Sequence, residues 1–306
     1  MDSYHVKQQF FLGAYRALAD MKLPDQSSAD FHSMLLYKAR AFLALDDPKA
    51  ALQVIGEDDE NVTLRAVRAL SKYTSVKEDT EKEAALEELR DLALEIEGED
   101  SEHSEKDKAF VRVLAATAFV RAGETEEALE TLGTDTEDLE AVALLVQIYL
   151  SINRPDLAKK QFERSKKWAE DDLLLQLIES NIGLVTGKDA YSNPLSFYTE
   201  QLANPSLTSP HVLTSRGITR ILRNEIQEAQ SDLDESLKEQ PGDAETLAAL
   251  CIAGTLGAMK PRETEELWSD FCSKHPDHPS VVDVAIKSNL FDQVVAKYTV
   301  PPIPAA

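Results

Sequence analysis

Cysteine is almost missing: the chain of 306 residues has two, Cys251 and Cys272. That number cannot supply a disulfide framework or a four-ligand zinc site. Positive charge is scarce as well, since 32 Lys and Arg stand against 55 Asp and Glu, for a formal charge of −23. A field of that sign repels phosphate backbones and anionic lipid surfaces, so neither nucleic acid nor direct membrane contact is expected. Most of the carboxylates are expected to form solvated helix faces. No apolar stretch approaches the roughly 18 residues that cross a bilayer, and the start, "MDSYHVKQQF", has no basic stretch leading into an apolar run. The expectation is a cytosolic, reducing location, with membranes reached only through partners.

Catalytic signatures are also lacking. The sequence has no Gly-rich phosphate loop, no nucleophile elbow and no HExxH. Its six histidines are scattered, and the one close pair, His275 and His278 in "SKHPDHPS", is broken by proline and has no cysteine or carboxylate spaced for a tetrahedral metal. It reads as a turn that ends a helix. Cys251 lies in the apolar stretch "AETLAALCIAGTLGAM" and reads as a small core residue, and Cys272 is expected to pack too. The expectation is a protein that is not an enzyme and needs no metal or cofactor.

What is present is a spaced pattern. In "RAGETEEALETLG", Gly123 precedes Ala128 by five and Leu132 follows by four. The same frame fits Asp46, Ala51 and Ile55, then Asn153, Ala158 and Phe162, then Asn224, Ala229 and Leu233. Each frame opens on Gly, Asn or Asp, which tolerate a left-handed turn, so each marks a tight reversal between two helices. Pro48 and Pro155 fall where a first helical turn has no amide bond to lose. The spacing of the alanines fits one or two units of about 34 residues, the tetratricopeptide period. Weaker copies are expected around Ala85 and Ser192, and "QPGDAETLAAL" reads as another junction, with Pro241 closing one unit and Glu245 in the first turn of the next.

Residues 137–152 are apolar on nearly every face, as in a helix packed between neighbours, whereas "ETEEALETLG" has one stripe, Ala128, Leu129 and Leu132, and turns Glu124, Glu126, Glu127 and Glu130 outward. Strand signals are nearly absent. The pattern predicts an all-α fold, a right-handed α-solenoid of tetratricopeptide-like hairpins over residues 1–300 as a single domain. Residues 301–306 are expected to form a short Pro-rich tail, and Glu95 to Asp107 a solvated acidic loop.

In such a frame, positions eleven and eight before each small residue face the concave side. They are Thr117 and Val120, Gln147 and Leu150, Asn181 and Leu184, Ile218 and Ile221, Ile252 and Thr255, with Phe110 and Val113 one step earlier on the same face. Tetratricopeptide grooves that clamp a chain terminus use Lys, Arg and Asn here, and this set is mostly apolar. Two readings stand together: a groove for a permanent partner, or packing of inner helices in a tight curl.

Three stretches in order along the chain, "VKQQFFLGAYRAL", "RPDLAKKQFERSKKWAEDDLLLQLIESNIGLVTG" and "HPSVVDVAIKSNLFDQVVAKY", resemble the epsilon subunit family of coatomer, in its fungal type. The region from Val76 to Asp107 departs most from that pattern. The resemblance implies a non-catalytic subunit of a vesicle coat, peripheral on the Golgi membrane and on coated vesicles. It further implies that the chain wraps the C-terminal region of the coatomer alpha subunit, contacts other coat subunits, and supports Golgi-to-ER and intra-Golgi transport. The alternative is a general tetratricopeptide adaptor of the chaperone or SNARE-disassembly type, for which a basic groove is expected. A third reading is an enzyme on a helical-repeat scaffold, whose sign would be a metal or nucleotide that copurifies with the chain.

Overall fold

The computed structural model describes residues 2–56, 61–98 and 103–298, apart from the side chains at 188 and 189. The Pro-rich tail and the centre of the acidic stretch lie outside the described residues. After α1 (Ser3–Phe11) and α2 (Tyr15–Asp20), the chain folds as successive hairpins. These are α3 (Phe31–Ala44) with α4 (Pro48–Ile55), α5 (Val62–Ser75) with α6 (Asp79–Glu97), α7 (Glu105–Ala122) with α8 (Thr125–Leu132), α9 (Leu139–Ser151) with α10 (Pro155–Ser165), and α11 (Leu173–Thr186) with α12 (Ser192–Leu202). The pattern continues in α13 (Pro210–Leu222) with α14 (Ile226–Glu239) and α15 (Ala244–Leu256) with α16 (Pro261–Lys274), and α17 (Pro279–Val295) follows. No strand occurs among the described residues. The fold is an all-α solenoid of tetratricopeptide-like hairpins. It divides into two compact units, residues 1–212 and 213–306, with the boundary inside α13.

The four turns read from the sequence share one geometry. Asp46, Gly123, Asn153 and Asn224 all have positive φ, at 59°, 85°, 58° and 64°. At each, the next amide reaches back across the reversal: Asp47 N to Phe42 O, Glu124 N to Phe119 O, Arg154 N to Tyr149 O and Glu225 N to Arg220 O, at 2.7 to 2.9 Å. This bond satisfies a carbonyl that the helix end would otherwise orphan. Gly123 takes the left-handed conformation with no side chain to clash, and Asn or Asp tolerate it at the other three turns. Pro48 and Pro155 open α4 and α10 as expected. Ala51, Ala128, Ala158 and Ala229 have no exposed surface. Ile55, Leu132, Phe162 and Leu233 are buried behind them.

In unit one the first helices of successive hairpins stack, α3 on α5, α5 on α7, α7 on α9 and α9 on α11. A single apolar core runs through them from Leu35 to Ile182. The acidic stretch is shorter as a loop than the sequence suggests. Glu95 to Glu97 are the last turn of α6, because Leu89, Leu92 and Ile96 continue the helical stripe and are buried. Glu97 accepts from Arg112 at 2.6 Å and Glu95 from Arg65 at 2.9 Å. Ser104 caps α7 through the Asp107 amide. Glu105 to Asp107 are therefore helical as well.

The N-terminal segment ties distant parts of unit one together. Leu12 is buried in a cluster with Phe197, Tyr198, Leu207 and Val212. Gln9 Nε2 donates to Ser206 O at 3.0 Å, and the Ser209 hydroxyl donates to Leu12 O. Gly13 stands at φ +74°, and a Cβ there would lie 2.5 Å from the Cβ of His211. At the other end, Arg40 on α3 lies among three rings, 4.5 Å from the Phe10 centroid, 5.0 Å from Phe110 and 5.3 Å from Tyr37. Arg40 donates to Glu140 on α9 at 2.7 Å, and the Tyr37 hydroxyl donates to the other oxygen of that carboxylate at 2.5 Å. Lys7 on α1 comes within 3.9 Å. Burial alone would raise the Glu140 carboxyl, but Arg40 and the Tyr37 hydroxyl more than offset it and hold it below the ordinary carboxylate value. Burial and the same carboxylate push the Tyr37 hydroxyl up.

Two outcomes follow from this closure. Arg40→Met should destabilise unit one by about 3–5 kcal/mol in denaturant titration, because Glu140 is then left buried without its countercharge. The Glu140 contribution is present above about pH 4.3, the ordinary value for a glutamate, and disappears as pH falls through its lowered folded value, so acid should erase the difference between Arg40→Met and the parent chain. Separately, Gly13→Ala should raise amide exchange in residues 5–14 and 206–212 while leaving α7 and α9 protected. Equal protection of the N-terminal segment in both proteins would show that the close approach to His211 does not hold it.

Candidate partner-binding site

The concave positions fall into three groups. Val113 and Thr117 on α7, Gln147 on α9 and Asn181 on α11 come together around one cleft of about 320 Å³. The same cleft is lined by Leu144, Leu174, Leu177 and Ile178, and by Phe10, Phe11 and Tyr15 from the N-terminal segment. Arg40 and Glu140 belong to its lining too, so the charges there are already spent on each other. Thr117 donates its hydroxyl to the Val113 carbonyl at 2.7 Å, so its own donor is satisfied. Burial raises the Tyr15 hydroxyl and Arg40 lowers it in part, leaving it above its ordinary value and neutral near pH 7. The cleft is therefore mainly apolar, with the Gln147 and Asn181 amides as polar groups on two adjacent helices.

Phe110 lines a neighbouring cleft of about 240 Å³, together with Val113, Tyr37, Lys7 and Glu140. Val120, Leu150 and Leu184 lie outside both clefts, toward the ends of α7, α9 and α11. Val120 is 36% exposed, and Leu150 and Leu184 are half-buried. In unit two the frame gives a different result. Ile218 and Ile221 are half-buried against the cluster of Leu233, Ala249, Leu250 and Ala253, inside the hairpin packing. Ile252 is exposed, and Thr255, also exposed, turns its hydroxyl back to the Cys251 carbonyl. Cys251 is buried and its thiol is pushed up by that burial, and Cys272 is half-buried.

Sequence spacing missed the N-terminal wall of the cleft. The pair Phe10 and Phe11 was the available signal, but it lies outside every repeat frame. It also missed α17. His275 and His278 do mark the turn before that helix, where His278 caps its start by accepting from the Ser280 amide. Among the described residues α17 has no buried side chain at all. Val282, Ile286, Leu290 and Val294 form one exposed stripe at four-residue spacing, and Val284, Phe291 and Val295 form another. Ile286 is 62% exposed and Phe291 66%. Among the described residues α17 is anchored at its beginning, through Val281 against the cluster of Trp268 and Phe271 and through His278 beside Phe271.

The comparisons with known proteins bear on what these surfaces are for. Residues 2–299 match the family model described as coatomer epsilon subunit. The probable coatomer subunit epsilon of Schizosaccharomyces pombe is 28% identical over 274 residues, covering 88% of this chain and 85% of the relative. Coatomer subunit epsilon-1 of Arabidopsis thaliana is 27% identical over 300 residues and 96% of both chains. Among solved structures, a tetratricopeptide repeat protein from Parabacteroides merdae superposes with a TM-score of 0.55 at 13% identity, over 83% of this chain and 96% of that one. The Cut9–Hcn1 assembly of the APC/C gives 0.50 at 12% identity, over 88% and 57%. Those two likenesses speak for the helical-repeat fold alone, whereas the family match extends over nearly the whole sequence: the chain belongs to the coatomer epsilon subunit family.

Proposed function

We propose that the chain is a non-catalytic structural subunit of the coatomer coat that holds the C-terminal region of the alpha subunit in constitutive complex. In this reading it reaches the Golgi membrane and its vesicles only through the coat, and supports Golgi-to-ER and intra-Golgi transport. Residues 1–300 act as one functional domain. The observation that carries the proposal is α17, a helix of 17 residues whose large apolar side chains remain in water on both of its stripes. Contiguous exposed apolar surface of this kind marks a protein interface. A chain that is always assembled never has to expose it.

The concave cleft of unit one supplies a second apolar surface, and its composition weighs against an adaptor for chain termini. A carboxylate clamp needs a free cation, and Arg40 is bound by Glu140 at 2.7 Å and covered by rings. The work proposed for these surfaces is adhesion, in which buried area contributes roughly 25 cal/mol per Å² and encirclement slows dissociation.

Two double variants test the two surfaces. Ile286→Glu/Leu290→Glu should weaken retention of the purified alpha C-terminal region by about 100-fold or more, since each buried large aliphatic residue contributes roughly 1.5–3 kcal/mol. Leu150→Glu/Leu184→Glu should do the same if the ends of α9 and α11 lie against the partner. Both pairs are partly exposed in the free chain, so circular dichroism should report intact helices. A folded variant that binds alpha as the parent does removes that surface from the contact, and two such variants overturn the clasp.

A further inference from the structure

The outer helices of neighbouring hairpins in unit one differ greatly in length. α6 has 19 residues and α8 has eight, about 28 Å against 12 Å. Beyond the end of α8, the loop of residues 133–136 stands across from the later turns of α6. A cleft of about 710 Å³ opens there, with α7 behind it, a size within the range of ligand sites. Its apolar lining comes from Ala93, Leu94, Phe119 and Leu132. Leu94 is 72% exposed, whereas Leu89, Leu92 and Ile96 on the same helix are buried.

The cleft carries an acidic excess, because four glutamates share the single Arg90 guanidinium and Glu130 adds a fifth, although Glu97 and Asp135 are matched by Arg112 and Arg164. Glu97, Glu127, Glu130 and Asp135 line it together with Arg90 and Arg112. Both arginines are already committed: Arg90 to Glu83, Glu87, Glu124 and Glu127, all between 2.7 and 2.9 Å, and Arg112 to Glu97. An anionic ligand would find no free cation. The loop wall is held in place before any ligand arrives, because Arg164 donates to the Thr134 carbonyl at 2.8 Å and to the Asp135 carbonyl and carboxylate. Gln161 adds a bond to the Thr134 carbonyl at 3.1 Å.

We propose that this cleft docks a basic, apolar-anchored peptide segment of a partner protein. One aliphatic or aromatic side chain packs on the exposed Leu94 and the half-buried Ala93, above a floor closed by the buried Phe119 and Leu132, and flanking Lys or Arg side chains stand opposite the exposed Glu130. Charge complementarity selects this occupant over an acidic peptide or a phosphorylated ligand. The site shares no residue with the apolar cleft of the same unit or with α17, and it does not depend on the alpha-subunit reading.

A chain of charge −23 attracts any cationic peptide, so the test must separate the anchor from the field. The probe is a fluorescent, amidated 12-residue peptide of Leu, Ala and Lys with net charge of about +4, titrated with the full chain at physiological salt. Leu94→Glu should weaken binding at least fivefold although it makes the protein more acidic, and Glu130→Gln should weaken it and flatten its salt dependence. Leu256→Glu, an equal charge change at an exposed leucine on α15, should leave binding unchanged or slightly tighter. A peptide with Glu in place of Lys should not bind. Absence of binding by the parent chain overturns the proposal, as does an effect of Leu94→Glu smaller than fivefold or in the tightening direction. Leu94 is exposed, so loss of folding does not stand in for loss of the site.

Discussion

Everything in this molecule depends on reversing a helix within about three residues while keeping the next helix in contact. The reversal costs a left-handed residue and would orphan several carbonyls. One amide reaching back five residues resolves part of that cost at Asp47, Glu124, Arg154 and Glu225, and a fully buried alanine lets the returning helix approach. Larger side chains at Ala51 or Ala128 would hold the helices apart and open voids along the core. Because in unit one the first helix of each hairpin also packs on the next, an error at one turn would be passed along that unit. The groove is a by-product of this stacking: side chains on the first helices that do not face a hairpin partner are left facing a common space.

The local part of that logic was legible in the sequence. The Gly, Asn or Asp, the alanine and the following apolar residue are within ten positions of one another, and every one of the four frames folds as its spacing implies. The boundary of the acidic stretch was misjudged because its charge density hides Ile96, which extends a buried stripe from Leu89 and Leu92. What the sequence could not reveal was the pairing of distant segments. Gln9 and Ser206, or Arg40 and Glu140, are joined by no periodicity, and each partner alone looks like ordinary surface. The frame also placed Ile218 and Ile221 with Thr117 and Val120, yet the first pair packs into hairpin core, because the frame fixes the side of the helix and not what stands opposite it.

Net charge is a poor guide to what the surface offers. The acidic excess suggests a uniformly wet wall, but the carboxylates are sorted. Some gather around single arginines, as at Arg90, whose guanidinium is stabilised in its charged form by Glu127, Glu87 and Glu83. In that cluster the Glu127 carboxyl is lowered by its bond to Arg90, and Glu124 is raised by burial and by Glu127 beside it. Asp232 in unit two is buried and accepts from both Arg216 and Arg220 at 2.7 Å. The consequence is local: at Arg90, Arg216 and Arg220 the cation is already held by carboxylates and is not free to attract an anion. At such clusters the choice of partner rests on apolar shape, with the acidic rim setting the sign of what approaches.

The apolar surfaces also differ in how prepared they are. The cleft beside α1 is preorganised, since the Arg40 network and the Leu12 cluster fix its walls from both ends of unit one, so little ordering cost remains when a ligand arrives. α17 is the reverse: anchored at its start and solvated along its length, it has a defined helix but no packing to set its direction. A partner that engages it must supply most of the buried area and fix that direction in the same step. A permanent coat subunit can meet that requirement once, at assembly, whereas a reversible adaptor would meet it at every encounter. A finished cleft and an unfinished helix therefore ask different things of a partner: the first asks for shape alone, the second for most of the buried area and for the direction as well.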